Sequence, residues 1–324
     1  HDIPDPIRRM AFFVAGKSEY SQGAAAGMTL RDANALCRQS KDDDCRILKW
    51  PHGFGTMTNN NVSTPVFEDK RVNAAHRYGH NVEYVVNTAF AGGSPWLWVE
   101  REYWPDSTLT VKEQYEVLPW SDPKREQEFE LKAKDLLTEA GYADGVDLPY
   151  PFFGAGTSSA LCYGSFLDQY SRHMDEIYKI GFKTFLECRN GVVYYDELKA
   201  GRWSILGYYP ATSLIDPSTG IIQGALKDSG IMVGAAWDWP GREATDAKYR
   251  IIQKTTDPVK QNELFKDFER HMADTSLPHF VTYYARVYMA VRSCVNGYWP
   301  AGIWHTHLFS LEGAWITDDC RDGN

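Results

Sequence analysis

The stretch HMDEIYKIGFKTFLECRNGVVYYDELKAGRWSILGYY, residues 173–209, decides the fold. Its first residues close the longer run LCYGSFLDQYSRHMDEIYKIG (161–181), which reads as helix. FKTFLE (182–187) then reads as strand, VYYDELKAG (193–201) as helix and RWSILGYY (202–209) as strand. Just upstream, EFELKAKDLLTEAGYADG (128–145) is an amphipathic helix with Leu131, Leu136, Leu137 and Ala140 expected inside and Gly141 as its stop. VDLPYPFF (146–153) follows it as a strand. Strand and helix in turn require crossover connections, so this half of the chain predicts an α/β layer.

Outward from there, LRDANALCRQ (30–39) predicts a helix with Leu30, Ala33, Leu36 and Cys37 on one face. The Thr, Asn and Pro of FGTMTNNNVSTP (54–65) mark an extended crossing segment or a loop. DKRVNAAHRYGHNVEYVVNTAFAGG (69–93) predicts one helix, with Val72, Ala75, Val82, Val85 and Val86 recurring near 3.6 and Gly92-Gly93 ending it. The Trp/Pro-rich SPWLWVEREYWPDS (94–107) is a loop. A last helix, PVKQNELFKDFERHMADT (258–275), precedes the apolar HFVTYYARVYMAV (279–291).

Composition narrows the function. With 43 acidic against 34 basic residues the chain carries a formal charge of -9, which repels phosphate backbones, so nucleic acid is not an expected partner. No apolar run reaches the roughly 20 residues that span a bilayer, and HDIPDPIRRM at the start lacks the pattern of a signal peptide. The chain is expected to be soluble as given, processed or truncated before His1. Six cysteines, at 37, 45, 162, 188, 294 and 320, contain no CxxC pair. They are free thiols in a cytosolic protein or disulfides in an exported one, and export is favoured. The pairs 37/45, 162/188 and 294/320 are each local enough to close a loop, and Cys162 is expected to approach Cys188.

Chemical motifs are sparse. Gly154 and Gly156 in PFFGAGTSSA could open a dinucleotide fingerprint, but Ser159 stands where the third glycine belongs, so a tight strand-to-helix turn is the plainer account. His76 and His80 have metal-ligand spacing on a helix, and His305 and His307 flank Thr306, yet HRYGH lacks the glutamate of a zinc protease and solvated histidines explain it. No GxSxG occurs, and no catalytic residue is assigned. The loop aromatics say more: Trp96, Trp98, Tyr103 and Trp104, then Tyr208 and Tyr209, then Trp237 and Trp239. Such rings cap a core or line a ligand site, which is mostly apolar with a few polar anchors.

Taken in order, TPVFEDKRVNAAHRYGHNVEYVVNTAFAGG, KAKDLLTEAGYADG, MDEIYKIGFKTFLE, DELKAGRWSILGYY, TTDPVKQNELFKDFERHMADTSLPHF and VRSCVNGYW resemble the family 5 extracytoplasmic solute-binding proteins, the peptide, nickel and opine receptors of ABC importers. The resemblance covers about Ala11 to Trp299 and begins midway through the family pattern. It implies an α/β, two-lobed periplasmic-binding-protein-like fold of type II, the peptide-binding class, with the first lobe incomplete in this chain. Residues 1–65 would be the remainder of lobe one and a crossing segment, 66–288 lobe two, and 289–324 a C-terminal return to lobe one. The implied function is capture of a small organic solute or peptide between the lobes, without chemistry, cofactor or resident metal, and delivery to an ABC permease. Periplasmic or extracellular location follows, and a separate N-terminal fragment of the same protein is a further implied partner.

The implied ligand contacts are Trp96, Trp98, Tyr208, Tyr209, Ser213, Trp237 and Trp239. Trp237 and Trp239 alternate, so in an extended stretch only one faces a cleft. In the family's peptide receptors an aspartate in the loop after the strand glycine holds the peptide's amine. Here residues 208–215 are YYPATSLI, with no acid, and Asp216-Pro217 shapes the turn. A buried ammonium there would lack its counter-charge, which implies a ligand without a free amine at that point. The competing accounts are a nucleotide-dependent α/β oxidoreductase built on Gly154 and Gly156, and a nickel-type metal receptor.

Overall fold

The computed structural model describes residues 6–15, 20–21, 29–40, 45–154, 165–187, 191–208, 216–218, 221, 225–226, 239–275, 277–297 and 315–317. The chain enters through α1 (Pro6–Val14), β1 (Tyr20–Ser21) and α2 (Leu30–Gln39), then runs into the long strand β2 (Cys45–Asn60). Thr29 caps α2 by accepting from the amide of Asp32 at 3.1 Å. A disulfide between Cys37 and Cys45 ties the last turn of α2 to the start of β2. Cys294 is disulfide-bonded as well, to a residue outside the described set. Cys162 and Cys188 also lie outside it.

The run 69–93 forms two helices, α3 (Lys70–Tyr78) and α4 (Val82–Ala89), where the periodicity predicts one. The break has a local cause. Gly79 ends α3, its missing side chain leaving room for Ile180, whose Cδ1 would stand 2.1 Å from a Cβ, and Asn81 restarts the helix by capping the amide of Tyr84. All five apolar positions of the pattern are buried nonetheless.

After β3 (Gly93–Pro95) and α5 (Val111–Val117) comes α6 (Glu126–Glu139), whose inner face is Phe129, Ala133 and Leu137, four residues apart. Leu131, expected inside, is 56% exposed, because it stands about 200° around the helix from Phe129 and Ala133. Leu136 and Ala140 are partly buried against the same cluster.

The two strands predicted next are each split in two. Pro149 and Pro151 interrupt the first, giving β4 (Val146–Asp147) and β5 (Phe152–Gly154). After α7 (Ser165–Ile180), β6 (Phe182–Lys183) pairs in parallel with β4, and β7 (Leu186–Glu187) pairs in parallel with β5. Then follow α8 (Gly191–Lys199), β8 (Ile205–Tyr208), α9 (Arg242–Lys254), α10 (Pro258–Met272), β9 (His279–Arg292), β10 (Val295–Asn296) and β11 (Trp315–Ile316). No helix among the described residues is long and apolar enough to cross a membrane.

A seven-stranded sheet runs β1-β9-β2-β8-β5-β7, with β3 on the β9 edge. β2 and β9 are antiparallel from Cys45 opposite Arg292 to Asn59 opposite His279, with register shifts between Pro51 and Gly55 and between Thr56 and Met57. At one end of this ladder Phe13, Ala33, Leu36, Tyr288 and Ala290 form a small core. At the other, the sheet packs between two larger clusters, one around Trp203, Leu206, Phe265 and Phe268, the other around Phe67, Phe152, Ile177 and Phe182.

In the run expected as an extended crossing segment or a loop, Asn59 and Asn60 finish β2 and Asn61 follows it, all three buried. Asn60 donates to Asn73 of α3 at 2.8 Å, and Asn61 donates to the carbonyls of Gly201 and Trp203 just ahead of β8. These bonds let a polar run lie in the interior.

Candidate functional site

β5 and β8 are parallel neighbours, Phe152 opposite Ile205 and Gly154 opposite Gly207, so their carboxyl ends lie side by side. On the far side of β8 the sheet turns antiparallel, with Met57 of β2 opposite Tyr208. Gly154 and Tyr208, the described ends of β5 and β8, therefore lie beside a change of strand direction, the place where open α/β sheets bind ligands. Tyr170 of α7 lies against β8 here: a Cβ at Gly207 would stand 2.3 Å from its Cε1, so only glycine admits the ring. Next to it, Tyr283 of β9 donates its hydroxyl to Oε1 of Gln169.

The Trp-rich loop is fastened from beneath. Oε1 of Glu269 accepts from the amides of Trp98 and Val99 at 3.0 Å, and Oε2 accepts from Thr108 Oγ1 and the Leu109 amide at 2.8 Å. Burial pushes this carboxyl up to about 7 against the pull of those bonds. Glu100, similarly raised to about 7 by burial, accepts from Ser94 Oγ and the Tyr103 amide. Trp96 is held with φ at 63°, in the left-handed region, and its amide donates to Thr282 O at 2.8 Å.

Of the residues singled out in sequence, Trp96, Trp98 and Trp239 are 6%, 3% and 4% exposed and pack into hydrophobic clusters of this chain. Tyr208 ends β8. Tyr209, Ser213 and Trp237 lie outside the described residues, as do Gly156, Ser159, His305 and His307.

No protein-family model matches the sequence, and no curated protein matches it. Solved structures do match along nearly the whole chain. The oligopeptide-binding protein AppA of Bacillus subtilis, solved with a nonapeptide, superposes with TM-score 0.69 at 16% identity over 97% of this chain. The dipeptide-binding protein of Pseudoalteromonas sp. SM9913, solved with Met-Leu, gives 0.72 at 17% over 97%, and AgaA of A. tumefaciens R10, solved with agropinic acid, 0.68 at 18% over 97%. This chain has the type II periplasmic-binding-protein fold. It spans 59%, 57% and 59% of those three chains, under two thirds of their length. This fold does not favour the oxidoreductase account. Nor, among the described residues, is any group of three or more His, Cys, Asp or Glu placed to hold a metal ion.

The fold also buries the histidines expected in solvent. His76 and His80 are 0% and 6% exposed because they face α7, where His173 and Glu176 meet them. Nε2 of His76 lies 2.9 Å from Nε2 of His173, and Nδ1 of His80 lies 2.6 Å from Oε2 of Glu176, which also accepts from the Asn81 amide. Phe182 and Phe280 stand edge-on to His76. Burial holds His76 and His173 well below the usual 6.5, with neighbouring imidazoles adding to the effect. Burial likewise lowers His80 and His279 to about 3 and lifts Glu176 to about 8.

A pH profile follows. Unfolded, the histidines bind protons below 6.5 and the glutamates release theirs above 4.5. Between these values the unfolded chain holds four protons on His76, His80, His173 and His279, and the folded chain three on Glu100, Glu176 and Glu269. Stability then falls toward acid, and faster below 4.5, where the unfolded glutamates protonate too. Above 6.5 the unfolded histidines have released their protons while the folded glutamates still hold theirs, so the sign reverses until those carboxyls ionise at about 7 to 8. Urea midpoints at pH 4, 5.5, 6.5 and 8 should peak near 6.5. A midpoint still rising between 6.5 and 8 would contradict the protonated interior carboxyls.

Proposed function

We propose that the chain is the substrate-binding component of an ABC importer, capturing a peptide or small organic solute in a cleft and handing it to a membrane permease. The observation that carries this is the match over 97% of the chain to receptors solved with a nonapeptide, Met-Leu and agropinic acid. The crevice at the ends of β5 and β8 is where such a ligand would sit, enclosed by two lobes. On this account residues 1–65 and 289–324 belong to the first lobe, 66–288 to the second, and a separate N-terminal fragment of the same protein is a further partner. The candidate ligand contacts are those named from the sequence, Trp96, Trp98, Tyr208, Tyr209, Ser213, Trp237 and Trp239, of which Trp96, Trp98 and Trp239 are buried in hydrophobic clusters. Binding needs no bond-making, so no enzyme activity is assigned. The disulfide between Cys37 and Cys45 supports an oxidising, extracytoplasmic location.

The absence of an acid from 208–215 favours a ligand without a free amine at that point. Calorimetry on the complete gene product, with unblocked di- to pentapeptides, their N-acetylated forms and a sugar–amino acid opine, tests both statements. Binding of blocked peptides or the opine, at least about ten-fold tighter than of unblocked peptides, is expected. Tight binding of an unblocked peptide, lost on acetylation, would overturn the ligand class alone. Silence toward all three sets would count against the receptor function.

A further inference from the structure

Gln169, in the second turn of α7, is a buried amide with half of its bonding capacity unused. The residue is 6% exposed. Its Oε1 accepts from the hydroxyl of Tyr283, and among the described residues that is the only hydrogen bond the side chain makes, so the hydrogens on Nε2 have no acceptor there. Buried polar groups are nearly always bonded, which makes the unused donor worth placing. With the oxygen tied to Tyr283, the planar amide turns its NH2 away from that hydroxyl.

The neighbours fix the level of this donor in the sheet. Tyr170, the next residue, fills the space over Gly207, one residue before the end of β8. Tyr283 stands opposite Thr56, and Met57, the next residue of β2, stands opposite Tyr208. α7 and β9 therefore hold the Gln169 amide at the level where β8 ends. The histidines of α7 and α3 meet farther along the helix, at His173 and His76.

We infer that Gln169 is a specificity-determining residue of the crevice at the ends of β5 and β8, its NH2 donating to an uncharged acyl oxygen of the ligand. The inference rests on the receptor reading and narrows it. A donor at this level cannot hold a ligand's ammonium, and residues 208–215 bring no acid to do so. An N-acyl group supplies the acceptor that the amide lacks and carries no charge to desolvate.

Calorimetry on the complete gene product with paired dipeptides, N-acetylated and unblocked, tests this. Gln169→Met keeps the length of the side chain and removes the donor. Because it strands the Tyr283 hydroxyl, the double variant Gln169→Met/Tyr283→Phe, which removes both partners, is measured beside it. Both variants should weaken the acetylated dipeptide by about ten-fold and leave the unblocked one within about two-fold, while melting curves show a folded protein. A purely structural role would lower both affinities together, and that outcome overturns the inference. So does a preference for the acetylated dipeptide that survives in both variants, or a wild-type protein that binds the unblocked dipeptide as tightly or more tightly, which leaves the receptor function standing. If the wild type binds the opine alone, the same variants should weaken it by about ten-fold, and unchanged affinity overturns the inference. A wild-type protein that binds neither dipeptide nor the opine removes the receptor reading and this inference with it.

Discussion

Glu269→Ala should lower the unfolding free energy by about 4–6 kcal/mol, the largest single effect expected in this chain. The side chain is 3% exposed, and its two oxygens receive three backbone amides and one hydroxyl from the segment 98–109. Alanine would strand all four donors in the interior, each at about 1–3 kcal/mol before any relaxation by water. Glu269→Gln keeps the shape and turns one acceptor oxygen into a donor. It fills the same space but sets an NH2 against two of the donors, and about half the loss should remain. Urea denaturation of the three proteins at pH 6.5 reads the difference. A loss below about 1 kcal/mol for alanine would mean that the loop holds its shape without this carboxyl.

Arg77→Met should cost about 3–5 kcal/mol. The guanidinium is 1% exposed. It donates to the carbonyls of Met272 and Asp274 through Nη1 and of Leu277 and His279 through Nη2. Met272 is the last residue of α10, so the charge sits at the negative end of that helix while it fastens the turn into β9. Its Cζ lies 4.6 Å from the Phe280 ring centre. Burial lowers the guanidinium to about 9, so it keeps its proton at neutral pH. Methionine replaces the stem and none of the bonds. Arg77→Lys, with one compact ammonium, should recover less than half. Thermal melts measure the loss, and limited proteolysis should cut near residues 273–278 first. If cleavage there is unchanged and the melt barely moves, the four carbonyls have other donors.

The helix and strand alternation across 146–208 was legible because its signals are local: periodic apolar residues, glycine stops and prolines. The interior polar groups were not. A buried histidine and a solvated one share the same sequence context, and what distinguishes His76 is His173, 97 residues away. Glu269 reaches Trp98 across 171 residues, and Arg77 reaches Leu277 across 200, distances at which no spacing rule operates. The two Trp-rich stretches announced large rings in loops. That Trp96 and Trp98 turn inward depends on amides held by Thr282 and Glu269, contacts made only in the folded chain. The strand carrying Tyr208 was legible.

The pairing of β2 with β9 orders events in time. Asn59 opposite His279 spans 279 − 59 = 220 residues, and Cys45 opposite Arg292 spans 292 − 45 = 247. Folding rates fall as contacts become more distant, so this ladder is slow to close. During synthesis at about 5–20 residues per second, β2 waits roughly 10–45 s for its partner to emerge. The neighbouring α3–α6 pair and the parallel β5–β8 unit use closer contacts and can assemble first. Nascent β2 meanwhile presents unpaired amides and carbonyls, open to pairing with another chain. Production yield should therefore depend on how well that interval is shielded, and a chain stopped before residue 279 would leave the strand waiting permanently.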